Sequence, residues 1–363
     1  MTKQTPLHSA HLNSKATMVD FHGWNMPLQY KGIIAEHENT RQNVSLFDVS
    51  HMGEFSVEGD DALNFLNYVT TNDVSKLSDN QAQYSLLLHL DGTVVDDLIV
   101  YRFGASKYRL CVNASNIQKD FHWLKQHITD FDVELSDISD QISLIALQGR
   151  NAQPLLSRLT NCDLEQIKFY HFLSSKIEEH DVIIARMGYT GEDGFEISCS
   201  PDAGLKIWDL LLKSGEDLKA EPAGLGARDI LRLEAGLCLY GNELDDQHVV
   251  PKSNLSYFIK MNKDNFVGKT ALTESIEKGL ERKLIAFELT DKGVPRTHQE
   301  ILNQNEEIIG VVTSGTFSPL LKKGIGMAYV RPDLESGDAI FVKGQRRNTG
   351  AIIIQPPFFK RTY

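Results

Sequence analysis

Several things are scarce or missing in this sequence, and each absence excludes a class. Cysteine is scarce: four residues in 363, at positions 111, 162, 199 and 238. They form no CxxC pair and no Cys/His cluster at zinc spacing, so neither a disulfide framework nor a structural metal site is expected. No run of about 18 apolar residues is present, which excludes a membrane-spanning helix. The start, Met1 to Leu7, has neither the apolar stretch of a secretory signal nor the Arg- and Ser-rich character of a transit peptide, so the expected location is the cytoplasm. Positive charge is short: 37 Lys and Arg against 49 Asp and Glu leave a formal net charge of −12. That argues against general affinity for nucleic acid or anionic membrane, while leaving room for a local basic pocket.

Nucleotide motifs are incomplete. Gly268-Lys269-Thr270 ends like a phosphate loop, but Lys263 stands where the first Gly belongs. Gly224-Leu225-Gly226 and Gly324-Ile325-Gly326 begin like a dinucleotide fingerprint, but Asp229 and Tyr329 replace the third Gly. No flavin or nicotinamide site is therefore expected. A GxSxG elbow is also absent, so no serine nucleophile is indicated.

What is present describes a folded globular chain. Hydrophobic residues make up 41% and charged residues 24%, and the length exceeds what one core usually supports, so two or three domains are expected. Short β-type runs bounded by Gly/Asp/Asn turns alternate with amphipathic helices, giving an α+β reading. The clearest hairpin joins Tyr84–Leu90 to Thr93–Phe103 through Asp91-Gly92, a pair suited to a turn with two positive φ angles. Lys107–Asn113 reads as a third strand, followed by a helix capped by Ser115 and running to His127. A second hairpin runs from Val182–Arg186 through the Gly-rich loop 188–194 into Phe195–Ser198. After residue 280 short strands alone remain, at 284–289, 308–313, 326–330, 339–342 and 350–354, predicting a small β-barrel or jelly roll.

Several residues break these patterns. Asp96-Asp97 interrupts the apolar strand Val94–Tyr101. Alternation sends the two carboxylates to opposite faces, with Asp97 sharing a face with Val95, Ile99 and Tyr101. Pattern alone favours a bulge or a sheet-edge pair facing solvent; the functional alternative is a carboxylate at the base of a pocket. Glu196 follows the Gly-rich turn in another apolar strand, where a surface ion pair is the commoner outcome. Arg228 and Arg232 lie four apart on one helix face. They read either as a solvated face paired with Asp229 and Glu234, or as a clamp for an anionic ligand. His22 and His51 sit in segments dense in functional residue types, although a lone His is more often a hydrogen-bonded structural residue.

At these same places the sequence resembles the aminomethyltransferase (T-protein) family of the glycine cleavage system. The matching runs are Thr5–Leu7, Met18–Trp24 with Met26–Leu28, Phe47–Met52, Thr71–Asp73, Asp96–Tyr101 and Val112–Ala114. They continue through Gly188–Glu196, Ala223–Asp229 with Arg232–Ala235, Thr313–Gly315 with Ser318-Pro319, and Pro357-Phe358. They span the whole chain in order. The resemblance implies three domains in a cloverleaf. The first is discontinuous (1–50, about 138–165 and 236–279), the second binds folate (51–137 and about 166–235), and the third is a β-barrel (280–363).

The implied reaction moves a one-carbon unit from the aminomethyl-lipoyl arm of H-protein to tetrahydrofolate. The products are 5,10-methylenetetrahydrofolate, ammonia and dihydrolipoyl-H-protein, and the P- and L-proteins of the system are indirect partners. No metal, flavin or nicotinamide is implied. Asp97 matches the catalytic acid, Glu196 the acid that binds the pterin ring, and Arg228 the residue facing the glutamate part of folate. Tyr84, Tyr101, Asn113, Tyr170 and Tyr189 match pterin-pocket positions, and Tyr363 a C-terminal ligand-contact position.

The chain departs from the family pattern at Arg150, where Pro is usual, at Pro251, which stands one place later than usual, and at Tyr257, where Trp is usual. A non-catalytic folate-binding relative, of the iron–sulfur cluster maintenance type, would carry a Lys-Gly-Cys-Tyr motif, which is absent. The folate domain of a demethylating dehydrogenase would need a flavin domain, for which neither length nor fingerprint is present.

Overall fold

The computed structural model of the chain describes residues 2–250 and 253–363. Pro251 and Lys252, within the stretch that departs from the family pattern, lie outside these residues. The chain forms two compact units: residues up to Ser85 with Leu98–Asp229, and Leu86–Asp97 with Ile230 onward.

The first unit contains two large sheets. One has six strands in the order Phe172–Ile177, His180–Ala185, Gly194–Cys199, Ser143–Gln148, Val44–Asp48 and Ala220–Pro222. All neighbours are antiparallel except the last pair, which is parallel. Its core packs Leu46, Ile145, Leu147, Ile184, Phe195 and Ile197 against Ile207, Trp208 and Leu211 of the helix Pro201–Ser214. That helix repeats its apolar residues at three- and four-residue spacing, so one stripe faces the sheet.

The other sheet has five strands in the order Gln81–Leu88, Val94–Gly104, Lys107–Val112, Gly53–Glu58 and Glu134–Asp137. The outer part of its first hairpin, Leu86–Asp97, groups with the second unit. The hairpin closes differently from the two-residue turn expected at Asp91-Gly92. His89 N–H donates to Thr93 O at 2.8 Å and Gly92 N–H to His89 O at 2.9 Å. The loop between the paired His89 and Thr93 is thus three residues long, Leu90 to Gly92, and only Gly92 of the pair has positive φ (+84°). Asp91 instead uses its carboxylate to accept from Thr93 N (3.0 Å) and Oγ1 (2.8 Å), fixing a longer turn with a single left-handed residue. The next helix covers Ile117–Gln126, with Asn116 rather than Ser115 at its N-terminal boundary.

In the second unit six antiparallel strands close a barrel: Lys283–Leu289, Lys323–Val330, Ile308–Ser318, Glu300–Leu302, Ala339–Val342 and Thr349–Ile354, which pairs back to the first. Closure removes both sheet edges. Alternate residues, including Ile285, Phe287, Leu289, Val312, Ala328, Val330 and Ile353, fill its interior. The mixed α+β class with a C-terminal β-barrel matches the reading of the sequence.

Candidate active site

The Gly-rich loop of the first unit is held by three side chains beneath and beside it. Gln148, fully buried, donates from Nε2 to Met187 O (3.0 Å) and accepts from Thr190 Oγ1 (2.8 Å). Arg41 donates to Thr190 O (2.7 Å) and to Glu192 Oε1 (3.0 Å). Arg186 grips both carboxylate oxygens of Asp193, at 3.0 and 2.6 Å. A Cβ on Gly188 would lie 1.9 Å from Gln148 Oε1, and one on Gly194 would lie 2.5 Å from its Nε2. The glycines are there because Gln148 occupies the space. The effect is to fix Tyr189 on one side of the loop and to aim the following strand.

Glu196 lies in that strand, third of six, between Ala185 and Ala146. It is therefore half-buried inside a sheet rather than on an exposed face. Burial raises its pKa, and the Arg228 guanidinium opposes that rise. Arg228 stands 4.7 Å over the Tyr189 ring, a cation–π contact. Its Nη1 is buried without a hydrogen-bond partner. Burial lowers the guanidinium pKa, while Tyr189, Glu196 and Cys111 favour its charge. A donor left unsatisfied in a dry site beside an acid is suited to an anionic group arriving from outside.

His51 is buried, its Nδ1 likewise without a partner, and the Phe21 ring meets it edge-on at 5.6 Å. Desolvation, with help from Arg228 and His22, pushes it down to about 4. It is neutral at neutral pH, and the hydrogen-bonded structural role expected for a lone His does not describe its Nδ1.

Tyr101 joins the same group. It is buried, donates its hydroxyl to Met187 Sδ at 2.9 Å, and meets Phe172 edge-on at 5.4 Å. Burial together with Glu196, Cys111 and Glu54 lifts its pKa well above the phenolic range. Thus Glu196, Arg228, Tyr189 and Tyr101 come together within the first unit. Tyr84 lies in the strand Gln81–Leu88, where its carbonyl accepts from Asn72 Nδ2 at 2.8 Å. Asn113 follows the strand Lys107–Val112, and its carbonyl begins the turn into the next helix. Tyr170 sits at φ +60°, its N–H donating to Arg186 O (3.0 Å) and its carbonyl accepting from Ala82 N–H (2.8 Å).

Asp97 belongs to the second unit. Its strand is second in the five-stranded sheet, so the expected sheet-edge position is corrected; Asp96 is fully buried and Asp97 half-buried. Alternation explains the difference. Cys238 of the same unit lies within electrostatic reach of Asp97, and its thiol is raised by burial, Glu243 and Asp97. Tyr363 is exposed, with Arg361 over its ring at 5.8 Å. Arg232 is not solvated. It is buried against Glu243 at 2.9 Å, and Glu234 accepts from Ser318 at 2.5 Å.

Sequence reasoning passed over Glu54 and Arg109. Glu54, Ser56 and Glu58 alternate with Phe55 and Val57, which reads as a solvent-facing stripe. Glu54 is nevertheless buried, because Arg109 on the adjacent strand reaches the other sheet and donates to Ser198 Oγ at 3.1 Å. Among the described residues no cluster of His, Cys, Asp or Glu is arranged to hold a metal, and no helix is long and apolar enough to cross a membrane.

Known proteins align with this chain over nearly its whole length. The family described as GCVT N-terminal domain matches residues 7–263, and the glycine cleavage T-protein C-terminal barrel domain matches residues 282–360. An aminomethyltransferase of Caldanaerobacter subterraneus is 44% identical over 363 residues, 99% of this chain and 97% of that protein. One of Chloroherpeton thalassium is 46% identical over 360 residues, 99% of each. The solved structure of glycine cleavage system aminomethyltransferase T from Bartonella henselae superposes with a TM-score of 0.93 at 32% identity, covering 100% of this chain and 99% of that one. By sequence over both matched regions and by fold, the chain belongs to the glycine cleavage T-protein family of aminomethyltransferases.

Proposed function

We propose that the protein transfers the one-carbon unit of an aminomethyl-lipoyl arm, carried by H-protein, to tetrahydrofolate, giving 5,10-methylenetetrahydrofolate, ammonia and dihydrolipoyl-H-protein. The observation that carries this reading is the pairing of Glu196 with a partly unsatisfied Arg228 on the Tyr189 ring. A pterin is a flat ring with amine and amide donors, and folate adds an anionic tail. Glu196 accepts from the donors, Arg228 holds the anionic tail, and Tyr84, Tyr101, Asn113, Tyr170 and Tyr189 shape the ring's surroundings. Asp97 serves as proton acceptor for the folate nitrogen that attacks the reactive carbon. The rest of the catalysis is positioning, with carbon and nitrogen held together away from bulk water and no covalent bond to the protein.

The test is direct. Purified protein, given tetrahydrofolate and demonstrably loaded H-protein, should form methylenetetrahydrofolate. Asp97→Asn should lose at least about a hundredfold in turnover while keeping folate affinity. Full activity of Asp97→Asn would remove the role given to Asp97, and no product from the wild type would remove the reaction.

A further inference from the structure

Glu54 is a buried acid of the first unit that the mechanism does not use. Glu54 is only 3% exposed, and its Oε2 has no hydrogen-bond partner. The nearest cation is Arg109, whose Nε lies 3.8 Å from that oxygen, beyond hydrogen-bond distance, and whose Nη1 is committed to Ser198. The register places Glu54 beside Cys111, and Cys111 beside Ile99. Ser56, Arg109 and Tyr101 form the next row, so Glu54, Cys111, Arg109 and Tyr101 share one face. The Arg109 to Ser198 bond spans from that face to the strand of Glu196. Ser198 and Glu196 are two residues apart and so point the same way. Glu54 and Glu196 therefore look into the same space from opposing sheets.

We propose that Glu54 is a specificity-determining residue of this site: as the carboxylic acid, it donates a hydrogen bond to an acceptor on the flat ring whose N–H donors Glu196 accepts. The inference rests on the tetrahydrofolate reading above and adds to it the way the ring's mixed edge is read. Two carboxylates facing one dry space do not both ionise readily. Glu196 is half-buried, and against the rise that burial causes it has the adjacent Arg228 guanidinium in its favour. Glu54 is dry; burial, with a smaller contribution from Glu196, pushes it up to about 7 against the more distant Arg109 and a hydrogen bond with the Cys111 thiol. The other groups facing it are Cys111 and Tyr101, both raised and neutral at neutral pH. Asp137, in the strand on its other side, pairs with Phe55 and so points to the opposite face. One carboxyl that accepts and one that donates together complement a ring that presents donors beside an acceptor, such as an amino-oxo heterocycle, and disfavour one bearing donors alone.

The test is equilibrium binding of tetrahydrofolate, kept anaerobic, from about pH 6 to about pH 8.5, to wild type, Glu54→Gln and Glu54→Met. Thermal unfolding confirms that each variant is folded. Wild-type affinity should fall about tenfold across the range as the donor is lost. Glu54→Gln, whose amide donates at every pH, should bind like the wild type at pH 6 and stay level. Glu54→Met should bind about tenfold weaker throughout. A level wild-type profile, or an equal fall in Glu54→Gln, would overturn the role of Glu54 and leave the folate reading standing. No binding by the wild type at any pH would overturn both.

Discussion

One helix, Leu225–Glu234, carries two arginines with opposite fates. Arg228 keeps an open donor, whereas Arg232 one turn later is only 1% exposed and fully engaged. Its Nη1 donates to Glu243 Oε2 (2.9 Å) and Leu237 O (3.1 Å), and its Nη2 to Ser314 Oγ (2.7 Å). Glu243, with no exposure, also accepts from Leu239 N–H (3.0 Å) and Thr313 Oγ1 (2.6 Å). This network ties the C-terminal half of the helix to the barrel within the second unit. Replacing Glu243 by Leu strands a buried cation and two donors, at a cost of about 3–5 kcal/mol. For a unit of this size that lowers the midpoint of thermal unfolding by about 10 °C. Arg232→Met should cost a similar amount, because it strands the Glu243 carboxylate. The double variant carries no orphaned charge, so its loss should fall short of the sum of the singles by at least about 2 kcal/mol. Calorimetry on the three variants and the wild type measures the cycle. Singles within about 1 kcal/mol of wild type, or a double equal to the sum, would refute the claim that this pair is electrostatically coupled and dry.

Other consequences are equally specific. Glu196→Gln and Arg228→Met should each weaken tetrahydrofolate binding about ten- to a hundredfold in a direct titration, the range expected for loss of a hydrogen bond to a charged group. Gly188→Ala should destabilise by about 1–3 kcal/mol and weaken folate binding, since the added methyl collides with buried Gln148 under the Tyr189 loop; a variant unchanged in both would remove the role given to that contact. Glu54 has a pKa raised in the folded state from 4.5 to about 7. Its ionisation therefore opposes folding: stability is lost as pH climbs from the unfolded value toward about 7 and is level beyond it. Relative to wild type, Glu54→Gln should gain up to about 3 kcal/mol between about pH 4.5 and about pH 8. Thermal unfolding across that range checks the sign, and a constant difference would contradict it.

Much of this architecture was legible in the sequence because alternation and turn residues report local structure. The texture change near residue 280 precedes the first barrel strand, Lys283–Leu289. Asp97 and Glu196 stood out as acids inside apolar strands, and the glycines at 188–194 announced a tightly packed loop. What local pattern does not carry is the covering of one element by another. Glu54 reads as solvent-facing because its own strand is amphipathic, and only the opposing sheet buries it. Arg232 reads as half of a charged helix face because Glu243 lies across a loop. The phosphate-loop likeness of Gly268-Lys269-Thr270 has a structural explanation: Lys269 Nζ donates to the carbonyls of Lys263 and Asp264 and closes the preceding turn.

The central claim is that tetrahydrofolate receives the one-carbon unit in this protein. The most direct measurement is single-turnover ammonia release from aminomethyl-loaded H-protein, with the protein in excess, in the presence and absence of tetrahydrofolate. The account predicts rapid release matched one for one by methylenetetrahydrofolate when tetrahydrofolate is present, and release slower by at least about a hundredfold without it. Equal rates in the two conditions, or ammonia without the folate product, would contradict it.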